Sequence, residues 1–167
     1  MIEQKHFPGY GNNSDTHTGV AYDERPYETF VNSDFLPFQA GIDAGADMVL
    51  VSHNVVSCMD DQEPASISLP VHNILRNELG FDGVIITDDL VMEGVRQFAG
   101  DAEIAVRAAQ AGNDMLCCTD FEVQVPAVIK AVETGEITEE RLNESVLRIL
   151  KMKIKLGIIA DYQNFSQ

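Results

Sequence analysis

Asp88 carries the clearest chemical potential in this chain. It ends the run Gly83-Val84-Ile85-Ile86-Thr87-Asp88, where strand alternation would put Val84, Ile86 and Asp88 on one face. A carboxylate at the end of an apolar run is costly unless it has a partner or a task. One reading is a cap or loop residue. The other is a nucleophile or an acid–base group. Asp89 follows where Leu90-Val91-Met92-Glu93-Gly94-Val95-Arg96 turns helical, which makes it a candidate helix N-cap.

A second cluster lies near the start, from Lys5-His6-Phe7-Pro8-Gly9 to Asp15-Thr16-His17. Glycine, proline and asparagine make this stretch an irregular, mobile loop. An Asp two residues before a His can orient the imidazole and raise its basicity, the logic of catalytic dyads. The same pair could ligate a metal, but no second close ligand pair accompanies it, so no metal and no cofactor are assigned. On local sequence alone, His17 also reads as an ordinary loop histidine.

These residues need elements to position them. Asp47 to His53, Gly83 to Asp88 and Asp114 to Thr119 are short runs apolar on consecutive positions, as expected of strands buried on both faces. Helical spacing lies between them: 30–44, 68–79 with a Ser cap and a Pro in its first turn, 102–111, 123–134, and a last helix opening at Thr138 and stopping at Gly157. Strand–helix alternation with short connections means an α/β fold with a parallel sheet. Lys5-His6 is taken as the end of a first strand, most of which is expected to be missing because only Met1 to Gln4 precede it. About four βα units result, against eight in a closed barrel. Ligands bind at the carboxyl ends of parallel strands. The candidate site residues are therefore those at the tips: Lys5 and His6, His53, Asp88 with Asp89, and Thr119 with Asp120.

Composition narrows the partners. The net charge is −16, with acidic residues spread along the chain, so nucleic acid and anionic membranes are excluded as partners. No apolar run approaches the roughly 20 residues that span a bilayer, and the first residues carry no signal-peptide pattern. Three cysteines without framework spacing read as buried thiols in a reducing, cytoplasmic setting.

Lys5-His6-Phe7-Pro8-Gly9, then Asp15-Thr16-His17, then Gly83 to Met92 resemble family 3 glycoside hydrolases of the bacterial β-N-acetylhexosaminidase branch. Pro64 to Ser68, Leu79 to Val84, Ala44 to Met48 and Ala111 to Met115 look like the same family, so the resemblance covers nearly the whole chain. It implies a TIM-type (β/α) barrel of which residues 1–167 hold about the second half. It also implies a retaining exo-glycosidase removing terminal β-linked N-acetylglucosamine from peptidoglycan fragments or chito-oligosaccharides. By that resemblance Asp88 is the nucleophile, His17 oriented by Asp15 transfers the proton, and Lys5 and His6 bind sugar hydroxyls. His53, at the next strand tip, is a further substrate-binding candidate. β-Glucosidase, phosphorylase and an inactive half-barrel are the alternatives. Open strand edges lead to the expectation that the chain self-associates or pairs with a missing N-terminal half-barrel.

Overall fold

A computed structural model describes residues 1–160. The expected parallel strands form: β1 (Glu3–Phe7), β3 (Met48–Val51), β5 (Val84–Asp89) and β6 (Met115–Cys117) make one four-stranded sheet in the order β1-β3-β5-β6. A second pair, β2 (Tyr22–Asp23) and β4 (Val55–Val56), is also parallel. At two residues each, these strands are too short to leave a periodic signal.

The first strand corrects the sequence reading. Lys5 and His6 lie inside a five-residue strand that continues to Phe7. The strand is held at its start by Asp47, whose carboxylate accepts the Ile2 N–H at 2.8 Å. The helices differ in detail. The expected helix over 30–44 is α1 (Tyr27–Thr29), a wider turn over Phe30–Asp34, and α2 (Phe35–Asp43). Pro37 lacks the N–H that an unbroken helix would need there. A short turn at Ala65–Ile67 precedes α3 (Leu69–Asn73). There the Ser68 hydroxyl accepts the Val71 N–H at 3.3 Å, the cap the sequence suggested. α4 (Glu93–Arg96), α5 (Asp101–Ala111), α6 (Phe121–Glu133) and α7 (Glu139–Lys155) follow.

Helices cover one face of the sheet. Phe7, Phe30, Phe35, Phe38, Val49, Val51, Leu75 and Ile85 form the main core beneath α2 and α3. Ile104, Ala105 and Ala108 of α5 pack with Leu90 and Val95 in a second cluster. The other face, also expected to be buried, is buried only at the strand starts, where Met48 and Val84 are 6% and 0% exposed, and it opens toward the tips. Val49, Val51 and Ile85 have no exposed surface, while Leu50 and Ile86, which alternate with them, are only half-buried. Covering one face of a parallel sheet leaves the geometry of a partial barrel.

The end of the sheet opposite the strand tips is strapped by α7. Asp47 and Asp114 each sit one residue before a strand, β3 and β6. Each also accepts the N–H of a residue on the neighbouring chain segment, Ile2 at 2.8 Å and Ile85 at 3.0 Å. Arg141, Arg148 and Lys155 recur every seven residues and so share one face of α7. Arg141 and Arg148 meet Asp114 at 3.7 and 3.2 Å, and Lys155 meets Asp47 at 2.6 Å. This arrangement fixes the strand starts and leaves their carboxyl ends for the site.

Candidate active site

Parallel pairing brings all four main strand tips to one end. β1 pairs Gln4 with Val49 and Phe7 with Val51, so three steps on β1 match two on β3. That extra residue is a bulge. Gln4 reaches the helix side, where its amide donates to Pro37 O at 2.8 Å, and Phe7 returns there into the core. His6 is left on the other side, beside Asp88. Lys5 is exposed and His6 is half-buried.

β5 has the same irregularity between Ile86 and Asp89, opposite Met115 and Cys117 of β6. The extra residue falls at Asp88. One Asp88 oxygen accepts the Asp89 N–H at 2.9 Å. The other lies 3.8 Å from His6 Nε2. The Asp88 side chain keeps 26% of its surface exposed, so it is held but still accessible. Burial pushes the His6 imidazole below its usual range, outweighing the attraction of Asp88. His6 therefore meets Asp88 as a neutral ring with one N–H to donate.

Asp89 does not cap a helix, since α4 begins at Glu93 after Met92. Its carboxylate accepts the Val91 N–H and the Thr119 N–H, both at 3.3 Å, and also the Thr119 hydroxyl. It ties the tip of β5 to the segment after β6. Thr87 Oγ1 reinforces this by accepting the Cys117 N–H at 3.0 Å.

His53 corrects a second expectation. It has no exposed surface, and both ring nitrogens are engaged within the protein. Its Nε2 lies 3.0 Å from the Asp89 carbonyl, which can only accept, so Nε2 carries the proton and Nδ1 accepts from the Ser66 hydroxyl at 2.7 Å. Burial holds its pKa down and the ring stays neutral. His53 presents nothing to a sugar; it supports the backbone beside Asp88.

The loop between β1 and β2 carries Asp15 and His17. Asp15 Oδ1 accepts the His17 backbone N–H at 2.9 Å and meets Nδ1 at 2.6 Å. Nε2 of His17 has no protein partner among the described residues, and the side chain is 71% exposed. The hydrogen bond from Asp15 raises the His17 pKa, and the charge of Asp88 adds to it. The two candidate groups are thus within electrostatic reach of each other. Among the described residues no group of three His, Cys, Asp or Glu side chains could hold a metal.

Two residues that the sequence reading left without a role organise this loop. Tyr10 Oη accepts the Thr16 N–H at 3.0 Å, and its ring lies 5.7 Å from that of His6. Arg25 grips Asp23 at 2.7 Å and Asp34 at 3.1 Å and covers the Phe30 ring at 4.4 Å, pinning the loop stem. An aromatic and an arginine flanking a polar, glycine-rich stretch were the available signals. A partly open cavity of about 100 Å³, lined by Leu116, Val128, Ile137 and Arg141, lies toward the opposite end. The candidate site itself is an open shelf.

The profile described as "Glycosyl hydrolase family 3 N terminal domain" matches residues 1–152. A beta-hexosaminidase of Nitrosomonas eutropha is 39% identical over 118 residues, covering 70% of this chain and 34% of the relative. A family 3 β-N-acetylglucosaminidase of Paenibacillus sp. superposes with a TM-score of 0.89 at 35% identity, over 95% of this chain and 32% of that one. A beta-glucoside phosphorylase, BglX, gives 0.86 at 29% identity over 95% of this chain and 31% of that one. The chain spans about a third of the length of each of these proteins.

Proposed function

The chain belongs to glycosyl hydrolase family 3, and from that premise we propose that it carries the nucleophile and the proton-transfer pair of a retaining exo-glycosidase acting on terminal β-linked N-acetylglucosamine. Asp88 attacks the anomeric carbon and forms a covalent glycosyl-enzyme as the glycosidic bond breaks. His17 donates its Nε2 proton to the leaving oxygen, then takes a proton from the water that releases the sugar. Asp15 keeps Nδ1 engaged and holds the imidazole proton more tightly, which suits an acid working near neutrality. Lys5 and the neutral His6 beside Asp88 bind the sugar hydroxyls.

One observation carries this reading: a strand-tip carboxylate faces His6, and the loop that bears the Asp15–His17 pair is hydrogen-bonded through the Thr16 carbonyl to Gly94, six residues beyond Asp88. Nitrophenyl N-acetylglucosaminide and nitrophenyl glucoside should be compared, and the trapped intermediate sought on Asp88 by mass spectrometry. Preference for the acetamido sugar with loss of turnover in Asp88→Asn is expected. Preference for the glucoside would move the assignment to β-glucosidase, and turnover indifferent to Asp88→Asn would remove the nucleophile.

The likeness to BglX favours phosphorolysis as a second reading, since a histidine in place of a carboxylate does not repel incoming phosphate. Added phosphate should then give a sugar 1-phosphate.

The proposal includes a partner for the open side of the sheet, either a complementary half-barrel or a second copy. β1 and β6 are edge strands, and Phe121, Val125 and Ile129, four apart on α6, are 61%, 46% and 52% exposed. A cytoplasmic setting is proposed on the free thiols of Cys58, Cys117 and Cys118.

A further inference from the structure

The loop that bears His17 does not hang free from its two ends. Thr16, the residue before His17, is 2% exposed although both its neighbours in sequence are exposed. Its backbone is gripped from two sides. The N–H goes to Tyr10 Oη at 3.0 Å, and the carbonyl accepts the N–H of Gly94 at 2.8 Å. Gly94 belongs to α4, six residues after Asp88 on the same connection. A methyl group at Gly94 would stand 2.8 Å from Thr16 Cβ, 2.9 Å from the Thr16 carbonyl oxygen and 3.3 Å from that of Gly19. The loop therefore sits in a socket whose floor is the missing side chain of Gly94.

We propose that Gly94 is a positioning residue for the reaction assigned above: it lets the Asp15–His17 loop dock onto the segment that follows Asp88, setting the separation of the two reacting groups. The inference rests on that functional reading for its meaning, but its test does not require turnover. The backbone at Gly94 is not in the left-handed region, so alanine is compatible with the fold there and is the better helix former. A purely structural glycine at this place would gain from the change. A socket would be filled by it, and the loop would be displaced.

A docked loop holds His17 on the same side of the connection as Asp88, where that carboxylate favours the protonated imidazole. That coupling gives a readout specific to docking. The chain has four histidines, so each imidazole can be followed by NMR titration. Asp88→Asn is expected to lower the His17 midpoint in the parent chain. In Gly94→Ala the same substitution should leave the His17 midpoint where it is, while the buried His72 keeps its parental signal. This is a double-mutant cycle read on one proton. Tyr10→Phe removes the other grip on Thr16 and should reduce the coupling; it serves also if Gly94→Ala folds poorly. A His17 midpoint that responds equally to Asp88→Asn in all three backgrounds would overturn the proposal. So would a parent in which His17 ignores Asp88→Asn. If coupling is lost as expected and yet no glycoside is cleaved, the docking stands and the enzymatic reading falls.

Discussion

Asp114 is where a single atom exchange should cost the fold most. Its carboxylate has no exposed surface and receives Arg76 at 2.5 Å, Arg148 at 3.2 Å, Arg141 at 3.7 Å, the Ser145 hydroxyl at 2.9 Å and the Ile85 N–H at 3.0 Å. The arginine side chains keep 16%, 25% and 20% of their surfaces exposed, in that order of distance. Asp114→Asn preserves shape but leaves three guanidiniums facing one another without the central carboxylate, with only the exposed Glu144 3.9 Å from Arg148. Removing one partner of a buried ion pair costs about 3–5 kcal/mol. Partial exposure of the arginines argues for the lower half of that range, about 3 kcal/mol. A domain has about 5–15 kcal/mol in all, so the variant should fold but weakly. With a urea slope of about 2 kcal/mol/M, the midpoint should fall by about 1.5 M at unchanged slope. Arg148→Met removes only an outer, more exposed contact and should cost about 1 kcal/mol or less. A midpoint for Asp114→Asn within about 0.4 M of the parent, or a loss no greater than that of Arg148→Met, would refute the strap as the clamp on the strand starts.

Other outcomes follow from the same geometry. His17→Ala should lower kcat/KM about 10²–10⁴-fold on a nitrophenyl N-acetylglucosaminide, the range for loss of an acid–base group. Because the Asp15 hydrogen bond raises the His17 pKa, the alkaline limb of kcat/KM should move to lower pH in Asp15→Asn, and an unmoved limb would detach Asp15 from the role given to it. His53 and His72 are buried with lowered pKa values, so the unfolded chain takes up their protons first as pH falls below about 6.5. Stability is full above that value and should drop by up to about 2.7 kcal/mol per pH unit between about pH 6 and 5, followed by urea midpoints. Light scattering after size exclusion should find the chain self-associated at micromolar concentration; a monomer there would contradict the open-edge argument.

Most of the site was legible as residue types at strand ends. Asp88 stands on the face that alternation assigned to it, and Asp15 and His17 pair on the loop where the sequence placed them. The misreadings share a cause: sequence registers what a residue is, not what fills its hydrogen-bonding capacity. His53 ends an apolar run just as Asp88 does, yet Ser66 and the Asp89 carbonyl occupy both its nitrogens from positions 13 and 36 residues away. Asp89 has cap chemistry, but Thr119 across the sheet claimed its carboxylate.

Local patterns were sufficient for the parallel α/β class, the order of elements and the chemistry available, because apolar periodicity and glycine stops act over a few residues. Gly45 and Gly112 end their helices at φ of 84° and 124°, as their positions foretold. Only the tertiary structure decided that a bulge in β1 leaves His6 beside Asp88, that Arg25 pins the loop stem, and that Thr16 fits against Gly94. A bulge is the difference between two strands' registers, and a socket is a space bounded by chain segments about 80 residues apart. Neither exists until the pieces are brought together.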